Sequence, residues 1–457
     1  MELGFDTIGN AIIIAYDKKP ILVTDPWIEG DAYFGSWTQA HEIPHEQLES
    51  IKAAEFVWLS HGHPDHLSIA SLNLLKGSTI LLADHVGGRI ASDLRRLGFK
   101  VLVLRDRVWT NLSDRINIVT VPDYNQDSLL MIDVGGRLLV NLNDMTAKGW
   151  GSFVQKTIRQ YKTSFLFQGF GYGDVDMINF VDEDGYRIDP PNATGVPIGQ
   201  HIARVAETYG VSHVIPFSSL HKYQRSDSVW ARQYAAKVED YANGFESRHC
   251  TLLPAYTRYD CLTDIPQEIS PAETPDTIID SKEFGDDWSE PLEAADLTKI
   301  RDYFRAIENL QDGMDFITLK VGEEEHIVEL KDKGFNRGIV FEVPRRSLMR
   351  AIRYEIFDDL LIGNFMRTRL IGDWPRSGLY PNFTPFVGKY ADNGLAKTRD
   401  EVERYFHEYR RRAPLDYLRH RIQVNTAQAV KTRIDADSDV YRAAQRVWWF
   451  LRRHIGA

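Results

Sequence analysis

Residues 55–66 of this 457-residue chain have the sequence EFVWLSHGHPDH, and this stretch decides the fold. An apolar run leads directly into a polar cluster, and residues 67–75 then have apolar side chains at helical spacing. Gly62 and Pro64 favour a fixed turn over a regular helix inside the cluster. The stretch therefore predicts a buried strand, a turn that carries the polar side chains, and a helix.

Four side chains of this turn have the chemistry of metal ligands: His61, His63, Asp65 and His66. Three imidazoles crowded together without a cation would depress one another's pKa and gain nothing. A chance cluster on a surface loop is the alternative. Because Cys250 and Cys261 are the only cysteines, a thiolate metal cluster and a disulfide framework are excluded. The residues predict a metal site built from histidine and carboxylate.

The segments around this turn alternate between strand and helix patterns, which predicts an α/β layer protein. Apolar runs predict strands over 10–16, 20–24, 78–83, 100–104, 116–121 and 212–217, and a hairpin over 128–141. Helical spacing predicts helices over 87–97 and 199–209. The polar cluster is thus expected at the edge of a layered sheet structure.

The chain is longer than one hydrophobic core usually supports, so two domains are expected. Residues 264–293 contain ten acids against the single base Lys282, which suits a solvated linker. We therefore predict a catalytic domain over 1–263, an acidic linker over 264–296 and an α+β, partly helical accessory domain over 297–457. In this last domain, runs at 316–321, 326–330 and 338–343 predict a three-stranded meander, and 345–362 predicts a long helix.

Charge and hydropathy narrow the classes of partner. The net charge of -11 argues against a nucleic-acid-binding surface over the whole protein and favours a small-molecule substrate. The first seven residues carry no basic group, and the apolar run 11–15 is too short for a signal sequence or a membrane span. We expect a cytoplasmic protein without a transmembrane segment, and a homo-oligomer stays open.

The sequence HGHPDH at residues 61–66 resembles the metal-binding motif of the metallo-β-lactamase superfamily. The resemblance implies an αββα sandwich, here followed by a C-terminal α+β module. It also implies two metal ions, one bound by His61 and His63 and the other by Asp65 and His66. Two divalent cations about 3.5 to 4 Å apart need a shared anion between them.

The resemblance places that anion and a further ligand on later strands. Asp144 follows the predicted hairpin where the superfamily has its bridging aspartate, and a simple turn residue is the alternative reading. His221 follows the strand 212–217 and corresponds to the last histidine ligand, with an ordinary loop histidine as the alternative. Asp65 and Asp144 are the expected catalytic carboxylates.

One expected histidine is missing. Residues 121–127 read VPDYNQD, and Asp123 is the residue that would replace it, unless it only caps a turn. One metal would then contact His61, His63, Asp123 and Asp144, and the other Asp65, His66, Asp144 and His221. Added carboxylate favours iron or manganese over zinc.

Residues 127–144, 215–227 and 354–388 resemble the catalytic part of the CMP-N-acetylneuraminate hydroxylases, and Asp127 and Asp144 keep the separation found in that family. The paired Cys and His motifs of a Rieske centre are absent, so electrons would have to come from a separate protein. A carboxylate in place of the missing histidine is also similar to the diiron β-hydroxylase of chloramphenicol biosynthesis. The resemblances imply a diiron oxygenase that uses O₂ to hydroxylate a nucleotide-sugar or another anionic metabolite.

Two other functions stay open. A metal-dependent hydrolase of phosphodiesters, lactones or amides would use the same cluster to activate water, with Tyr124 or Tyr223 as oxyanion donors. A non-enzymatic scaffold would keep the cluster as a structural relic. Arg225 is a candidate contact for an anionic substrate, because a guanidinium binds carboxylate or phosphate through two hydrogen bonds, and a salt bridge is the alternative.

Overall fold

The computed structural model describes residues 1–145, 149–169, 178–190, 197–331, 336–375 and 378–433, with side chains up to residue 425. Strands of the first part of the chain form two large mixed sheets. The eight-stranded sheet has the order β17-β16-β1-β2-β3-β5-β6-β7, where the strands are β1 (Leu3–Ile8), β2 (Ile12–Asp17), β3 (Lys19–Thr24), β5 (Phe56–Leu59), β6 (Thr79–Ala83), β7 (Val101–Leu104), β16 (Thr257–Asp260) and β17 (Ile265–Glu268). The seven-stranded sheet has the order β15-β13-β12-β11-β10-β9-β8, where the strands are β8 (Thr110–Asn111), β9 (Ile116–Pro122), β10 (Ser128–Val134), β11 (Arg137–Asn143), β12 (Thr163–Gly169), β13 (His213–Phe217) and β15 (Thr251–Leu252).

Among the described residues, this part also has two short strands, five α-helices and 3-10 helices over Val229–Tyr234 and Val238–Ala242. The strands β4 (Trp37–Gln39) and β14 (His221–Tyr223) pair with each other, and the helices are α1 (His45–Ala53), α2 (Ile69–Leu74), α3 (Arg89–Arg96), α4 (Gly151–Ile158) and α5 (Ile198–Tyr209). Strand β1 was not among the sequence predictions, whereas every strand and helix predicted before residue 217 is present with small shifts of its ends.

Successive side chains of each strand point to opposite faces of its sheet, so each sheet contributes to two separate hydrophobic clusters. In β10, Leu130 and Ile132 belong to one buried cluster, while Leu129 and Met131 belong to another. The first cluster draws on strands of both large sheets and no helix, so it is the layer between the sheets. The second also contains side chains of α3, α4 and α5. Sheets buried on both faces, with helices outside, give the four-layer sandwich that the sequence predicts.

The edge of these sheets explains where polar side chains collect. Strand β5 is parallel to β3 and β6, and β11, β12 and β13 are parallel to one another. Carboxyl ends of parallel strands share one edge of a sheet, and ligand sites of open α/β sheets lie at such an edge. The turn after β5 and the residues after β11 and β13 therefore meet at one end of the sandwich.

The C-terminal module is a four-stranded sheet with helices. Its strands are β18 (Phe316–Val321), β19 (Glu324–Glu329), β20 (Gly338–Glu342) and β21 (Arg367–Ile371), and its helices are α6 (Ala294–Ala306), α7 (Leu310–Gly313), α8 (Arg345–Tyr354) and α9 (Asp358–Ile362), with a π-helix over Pro385–Asn393. The helices α10 (Arg399–Arg412) and α11 (Pro414–Arg433) follow, and Val402, Tyr405 and Tyr409 of α10 belong to the buried cluster that contains side chains of α3, α4 and α5. Strands β18 and β20 are parallel and β21 is a fourth strand, so the predicted meander was wrong. The predicted long helix is split, because Glu355 adopts a left-handed conformation (φ 52°) that ends α8.

The acidic segment 264–296, predicted as a linker, is mostly exposed, and parts of it are attached to the fold. Residues Ile265–Glu268 form β17 at the edge of the first sheet. Asp286 is buried, accepts a hydrogen bond of 3.0 Å from the Ser347 backbone N–H and pairs with Arg225 at 2.8 Å. Asp286 thus connects Ser347 of the C-terminal part with Arg225 of the first part. Within the part of the chain that the structure describes, no helix is both long and apolar enough to cross a membrane.

Candidate metal centre

The ligand loop, residues 61–66, is fixed where β5 ends. The backbone N–H of Ser60 donates to Asp25 Oδ1 at 2.8 Å, and the Ser60 carbonyl accepts from the Ser128 hydroxyl at 2.6 Å. The N–H groups of His66 and Leu67 both donate to the carbonyl of His63, at 3.0 and 2.7 Å. A single tight turn therefore directs the side chains of the loop into one space.

His61 and His63 each direct one ring nitrogen into this space. The atoms His61 Nε2 and His63 Nδ1 lie 2.9 Å apart. The other ring nitrogens are held from outside, with His61 Nδ1 2.8 Å from Ser60 Oγ and His63 Nε2 3.3 Å from Asp358 Oδ2. Metal-binding histidines are usually oriented in this way, with the second nitrogen bonded to a neighbouring polar group.

Asp144 faces the two histidines from the end of β11. Its Oδ2 lies 3.8 Å from His61 Nε2 and 3.5 Å from His66 Nε2, and its Oδ1 accepts a hydrogen bond of 2.9 Å from Ser218 Oγ. One ligand atom each of His61, His63 and Asp144 lies within 4.8 Å of the others. These three residues form a group that can hold a metal ion, and the 33% exposure of the Asp144 side chain shows that this face is open.

Asp65 and His66 form the neighbouring half of the cluster. Asp65 Oδ1 accepts from the Tyr33 hydroxyl at 2.6 Å, and Oδ2 accepts from the Asn10 amide at 2.9 Å. His66 Nε2 lies 3.1 Å from Asp65 Oδ2, and its Nδ1 lies 3.4 Å from Asp25 Oδ2. Both side chains are thus held in place and buried, and His66 Nε2 lies close to both Asp65 and Asp144.

His221 provides the test of whether the site fits a metal. Its ring stacks on Trp37, with 3.5 Å between centroids and 4° between planes. Both ring nitrogens are buried, and neither has a hydrogen-bond partner among the described residues. Burial lowers the pKa of His221 to about 4, although the carboxylates of Asp65 and Asp144 act in the opposite direction. A neutral, unpaired imidazole beside two carboxylates is what a metal ligand requires.

The pKa values of His61 and His66 are shifted in opposite directions by their surroundings. Burial and the neighbouring His66 and His63 lower the pKa of His61 well below its usual value. Burial also acts to lower the pKa of His66, but Asp65 and Asp144 outweigh it and raise that pKa well above its usual value. Burial raises the pKa of Asp144, yet His66 and His61 bring it down to about 2. Asp144 therefore stays ionised, as ligation requires.

Asp123 is held in its own turn. Its Oδ1 accepts from the N–H groups of Asn125 and Asp127, at 2.8 and 3.1 Å, while its buried Oδ2 has no hydrogen-bond partner among the described residues. It is not among the groups whose ligand atoms converge. The turn-capping alternative is thus present, and ligation by Oδ2 stays a prediction. The neighbouring Asp127 interacts electrostatically with Lys389, His63 and Asp144.

The three predicted substrate contacts lie in packed surroundings. Tyr124 is buried, its ring 3.9 Å from that of His420, and the Tyr223 hydroxyl accepts from the Asn364 amide at 3.1 Å. Arg225 is fully buried, pairs with Asp227 and Asp286 at 2.8 Å each, and covers the ring of Phe365. The salt-bridge alternative for Arg225 is therefore present, and substrate binding by Arg225 stays a prediction.

Sequence reasoning missed four charged residues near the cluster: Asp25, Asp358, Asp359 and Lys389. Ligand atoms of His63, Asp358 and Asp359 lie within 4.8 Å of one another, and Lys389 Nζ lies 3.9 Å from Asp358 Oδ2. Asp25 directly follows β3 and could have been found as a strand-end acid. The other three come from the C-terminal module, and no local pattern connects them to the ligand loop.

Comparisons with known proteins find relatives of low similarity. No protein-family model matches the chain. Over 154 residues, which are 32% of this chain and 26% of the relative, the chain is 27% identical to the cytidine monophosphate-N-acetylneuraminic acid hydroxylase of Danio rerio, so it spans about a quarter of that relative. Among solved structures, CmlA, a diiron beta-hydroxylase from Streptomyces venezuelae, matches with a TM-score of 0.30 and 13% identity over 47% of this chain and 44% of that one. An isothiocyanate hydrolase from Delia radicum gut bacteria matches with a TM-score of 0.38 and 15% identity over 56% and 98%.

The fold rests on features of the molecule itself. Two mixed sheets pack face to face with helices on their outer sides. The loop HGHPDH follows a parallel strand of one sheet, and Asp144 and His221 follow strands of the other. With this sandwich and this loop, the chain has the metallo-β-lactamase-like αββα fold.

Proposed function

We propose that this protein is a dinuclear non-heme metal oxygenase, with iron as the preferred metal, that hydroxylates a small anionic molecule. The observation that carries the proposal is the group of His61, His63 and Asp144, in which two imidazoles and one carboxylate converge. Two histidines and one carboxylate with open positions are typical of non-heme Fe(II) oxygenases. Asp65 adds a further carboxylate beside them, and no third histidine joins His61 and His63 in that group among the described residues.

The residues present divide into two ligand sets. One metal would be held by His61, His63 and Asp144, with Asp123 as a further candidate. The other would be held by Asp65, His66 and His221, with Asp144 shared between the two. When bound, the metal pair would supply the binding and reduction of O₂, and the protein supplies orientation, charge and exclusion of water.

The proposed reaction needs an external reductant. One oxygen atom of O₂ enters a C–H bond of the substrate, and the other leaves as water after taking up two electrons and two protons. The electrons would come from a separate electron-transfer protein, because the chain has only two cysteines and both are buried. A substrate of nucleotide-sugar type is supported by the name of the hydroxylase to which the chain is similar.

The side chains around the cluster have defined parts in this reaction. Tyr33 and Asn10 fix both oxygens of Asp65, and Ser218 fixes one oxygen of Asp144. His61 and His66 are buried, whereas Asp144 is partly exposed. The substrate would therefore approach on the Asp144 side, and the remaining walls would keep water from the reacting atoms.

Metal replacement tests the proposal. Metal-free protein would be loaded anaerobically with Fe(II) or with Zn(II), mixed with a panel of nucleotide-sugars and a chemical reductant, and followed by an oxygen electrode and by mass spectrometry. We expect oxygen uptake and a product 16 mass units heavier only with iron, and neither in Asp144→Asn. Turnover by the zinc form without O₂ or reductant, with an inactive iron form, would overturn the proposal in favour of a hydrolase.

A further inference from the structure

Asp358 of the C-terminal module contacts a histidine of the ligand loop directly. Asp358 begins α9, nearly three hundred residues after the ligand loop, and its Oδ2 lies 3.3 Å from Nε2 of His63. Both side chains are buried, with 3% of the Asp358 side chain and 10% of the His63 side chain exposed. From this contact we infer that the module is part of the metal centre, and that Asp358 is a positioning residue that sets the orientation and tautomer of His63.

The geometry of the His63 ring carries the inference. Its Nδ1 lies 2.9 Å from Nε2 of His61, on the side where the ligand atoms of Asp144 converge. Its Nε2 points the opposite way, to Asp358. A carboxylate that accepts the Nε2 proton leaves the lone pair on Nδ1, so that His63 and His61 present their lone pairs to the same point. Such carboxylate–histidine–metal arrangements also raise the basicity of the ligand.

The fold makes room for this carboxylate. A Cβ atom on Gly388, in the π-helix Pro385–Asn393, would lie 2.6 Å from Cγ of Asp358, so only glycine fits there. Lys389, the next residue of that helix, places its ammonium 3.9 Å from Asp358 Oδ2 and offsets the buried negative charge. π-Helices are rare and occur frequently at functional sites. Gly388 leaves space for the Asp358 side chain and Lys389 lies close to its carboxylate, so this π-helix holds Asp358 against the ligand loop.

A direct ligand role for Asp358 is the competing arrangement. Ligand atoms of His63, Asp358 and Asp359 also lie within 4.8 Å of one another. In that case His63 would bind through Nε2, and its Nδ1 would serve only in a hydrogen bond with His61 Nε2, away from Asp144. The positioning role explains both contacts of the ring, so the observations favour it.

Cobalt(II) titration of the metal-free protein tests the inference, with visible absorption and equilibrium dialysis as readouts. The variants are D358N, which keeps an acceptor, D358A, which removes it, and D286N. Asp286 is the matched control, because it is a buried acid that joins the same two parts of the chain without contacting the cluster. The melting temperature of each metal-free variant separates loss of stability from loss of metal affinity.

We expect D358A to bind the first cobalt ion about 10- to 100-fold more weakly than the wild type, which is the usual effect of removing such a partner. The cobalt affinity of D358N should lie between those of D358A and the wild type. D286N should bind cobalt like the wild type even if its melting temperature is lower. Wild-type affinity and spectrum in D358A would overturn the inference, as would an equal loss of affinity in D286N. Loss of a whole cobalt equivalent in D358N would assign Asp358 as a ligand instead.

The inference rests on metal binding by the ligand loop and not on the oxygenase reaction. A wild-type protein that binds cobalt, with an unchanged D358A, contradicts the positioning role alone. A zinc-dependent hydrolase with weakened cobalt binding in D358A contradicts the proposed function alone. A wild-type protein that binds no cobalt contradicts both.

Discussion

The hydroxyl of Tyr33 donates a hydrogen bond of 2.6 Å to Oδ1 of Asp65. Tyr33 is buried and lies 4.4 Å from Trp37, measured between ring centroids, and Trp37 stacks on His221. One aromatic pair thus supports two of the proposed ligands of the second metal. The ligands themselves come from parts of the chain that are far apart in sequence, so their orientation depends on such supporting contacts.

We expect Tyr33→Phe to weaken binding of the second metal by about tenfold or more, since Asp65 would lose one of its two anchors. The loss of the hydrogen bond should also lower the free energy of unfolding by about 1 kcal/mol. Metal content after dialysis, measured by mass spectrometry, checks the first effect. Tyr16→Phe is the matched control, because Tyr16 donates to the buried Asp6 at 3.1 Å away from the ligand loop. Equal metal content in Tyr33→Phe and the wild type would contradict the role of Tyr33.

Replacing His221 should affect the melting temperature of the metal-free protein and the rise in melting temperature on adding metal in different ways. Its ring nitrogens have no hydrogen-bond partner among the described residues, so a phenyl ring in the same stack loses no hydrogen bond. We expect His221→Phe to melt at the same temperature as the wild type or higher when metal-free. The rise in melting temperature on adding Fe(II) should be smaller than in the wild type, because one ligand is gone. An unchanged rise would remove His221 from the ligand set.

Ser218→Ala tests how Asp144 is held. Ser218 Oγ donates to Asp144 Oδ1, and a Cβ on Gly169 would lie only 3.3 Å from the same oxygen, so Asp144 sits in a narrow space. Without the serine hydroxyl, Asp144 can rotate away from the position between the two ligand sets. We expect two- to tenfold weaker metal binding, on the order of 1 kcal/mol, with little change in metal-free stability. Ser212→Ala, at a serine that bonds the neighbouring strand, should leave metal affinity unchanged.

Asp392 predicts a pH dependence of stability in the C-terminal module. It is buried, and burial is the main cause that raises its pKa from 3.8 to about 8, although the Phe357 N–H and the Tyr303 hydroxyl donate to it. The unfolded chain releases this proton near pH 4, whereas the folded chain keeps it to about pH 8. The stabilisation that protonated Asp392 contributes to the folded state is therefore lost as the pH rises from about 4 to about 8.

Thermal unfolding of metal-free protein at several pH values between 5 and 9 checks this dependence. We expect the melting temperature of the wild type to fall with rising pH by more than that of Asp392→Asn, which has no proton to lose. Parallel pH profiles for the two proteins would show that Asp392 is ionised throughout.

The ligand loop and its strand could be predicted because the signals are local. An apolar run followed by HGHPDH fixes a strand, a turn and the ligand types within twelve residues. Asp144 and His221 were placed by the resemblance to the metallo-β-lactamase superfamily, because each follows a predicted strand where that superfamily has a ligand. The local sequence therefore defines the ligand loop, and the resemblance adds the ligands that lie far from it in the chain.

The remaining parts depend on tertiary contacts that no local pattern contains. Asp358 looks like an ordinary helix-start acid until α9 packs against His63, and Arg225 looks like an exposed loop arginine until Asp286 pairs with it. The parallel pairing of β18 and β20 follows from the packing of the C-terminal module, whereas spacing alone suggested a meander. Buried charges in particular are identified only by their partners.

The central claim is that two metal ions lie between the imidazoles and carboxylates of the ligand loop, Asp144 and His221. Anomalous diffraction at the iron edge, from crystals grown anaerobically with Fe(II), tests it most directly. We predict two peaks on either side of Asp144, one next to His61 Nε2 and His63 Nδ1 and the other next to Asp65 and His66. An iron-soaked crystal without a peak there, and with His221 and Asp144 turned away from the loop, would contradict the claim.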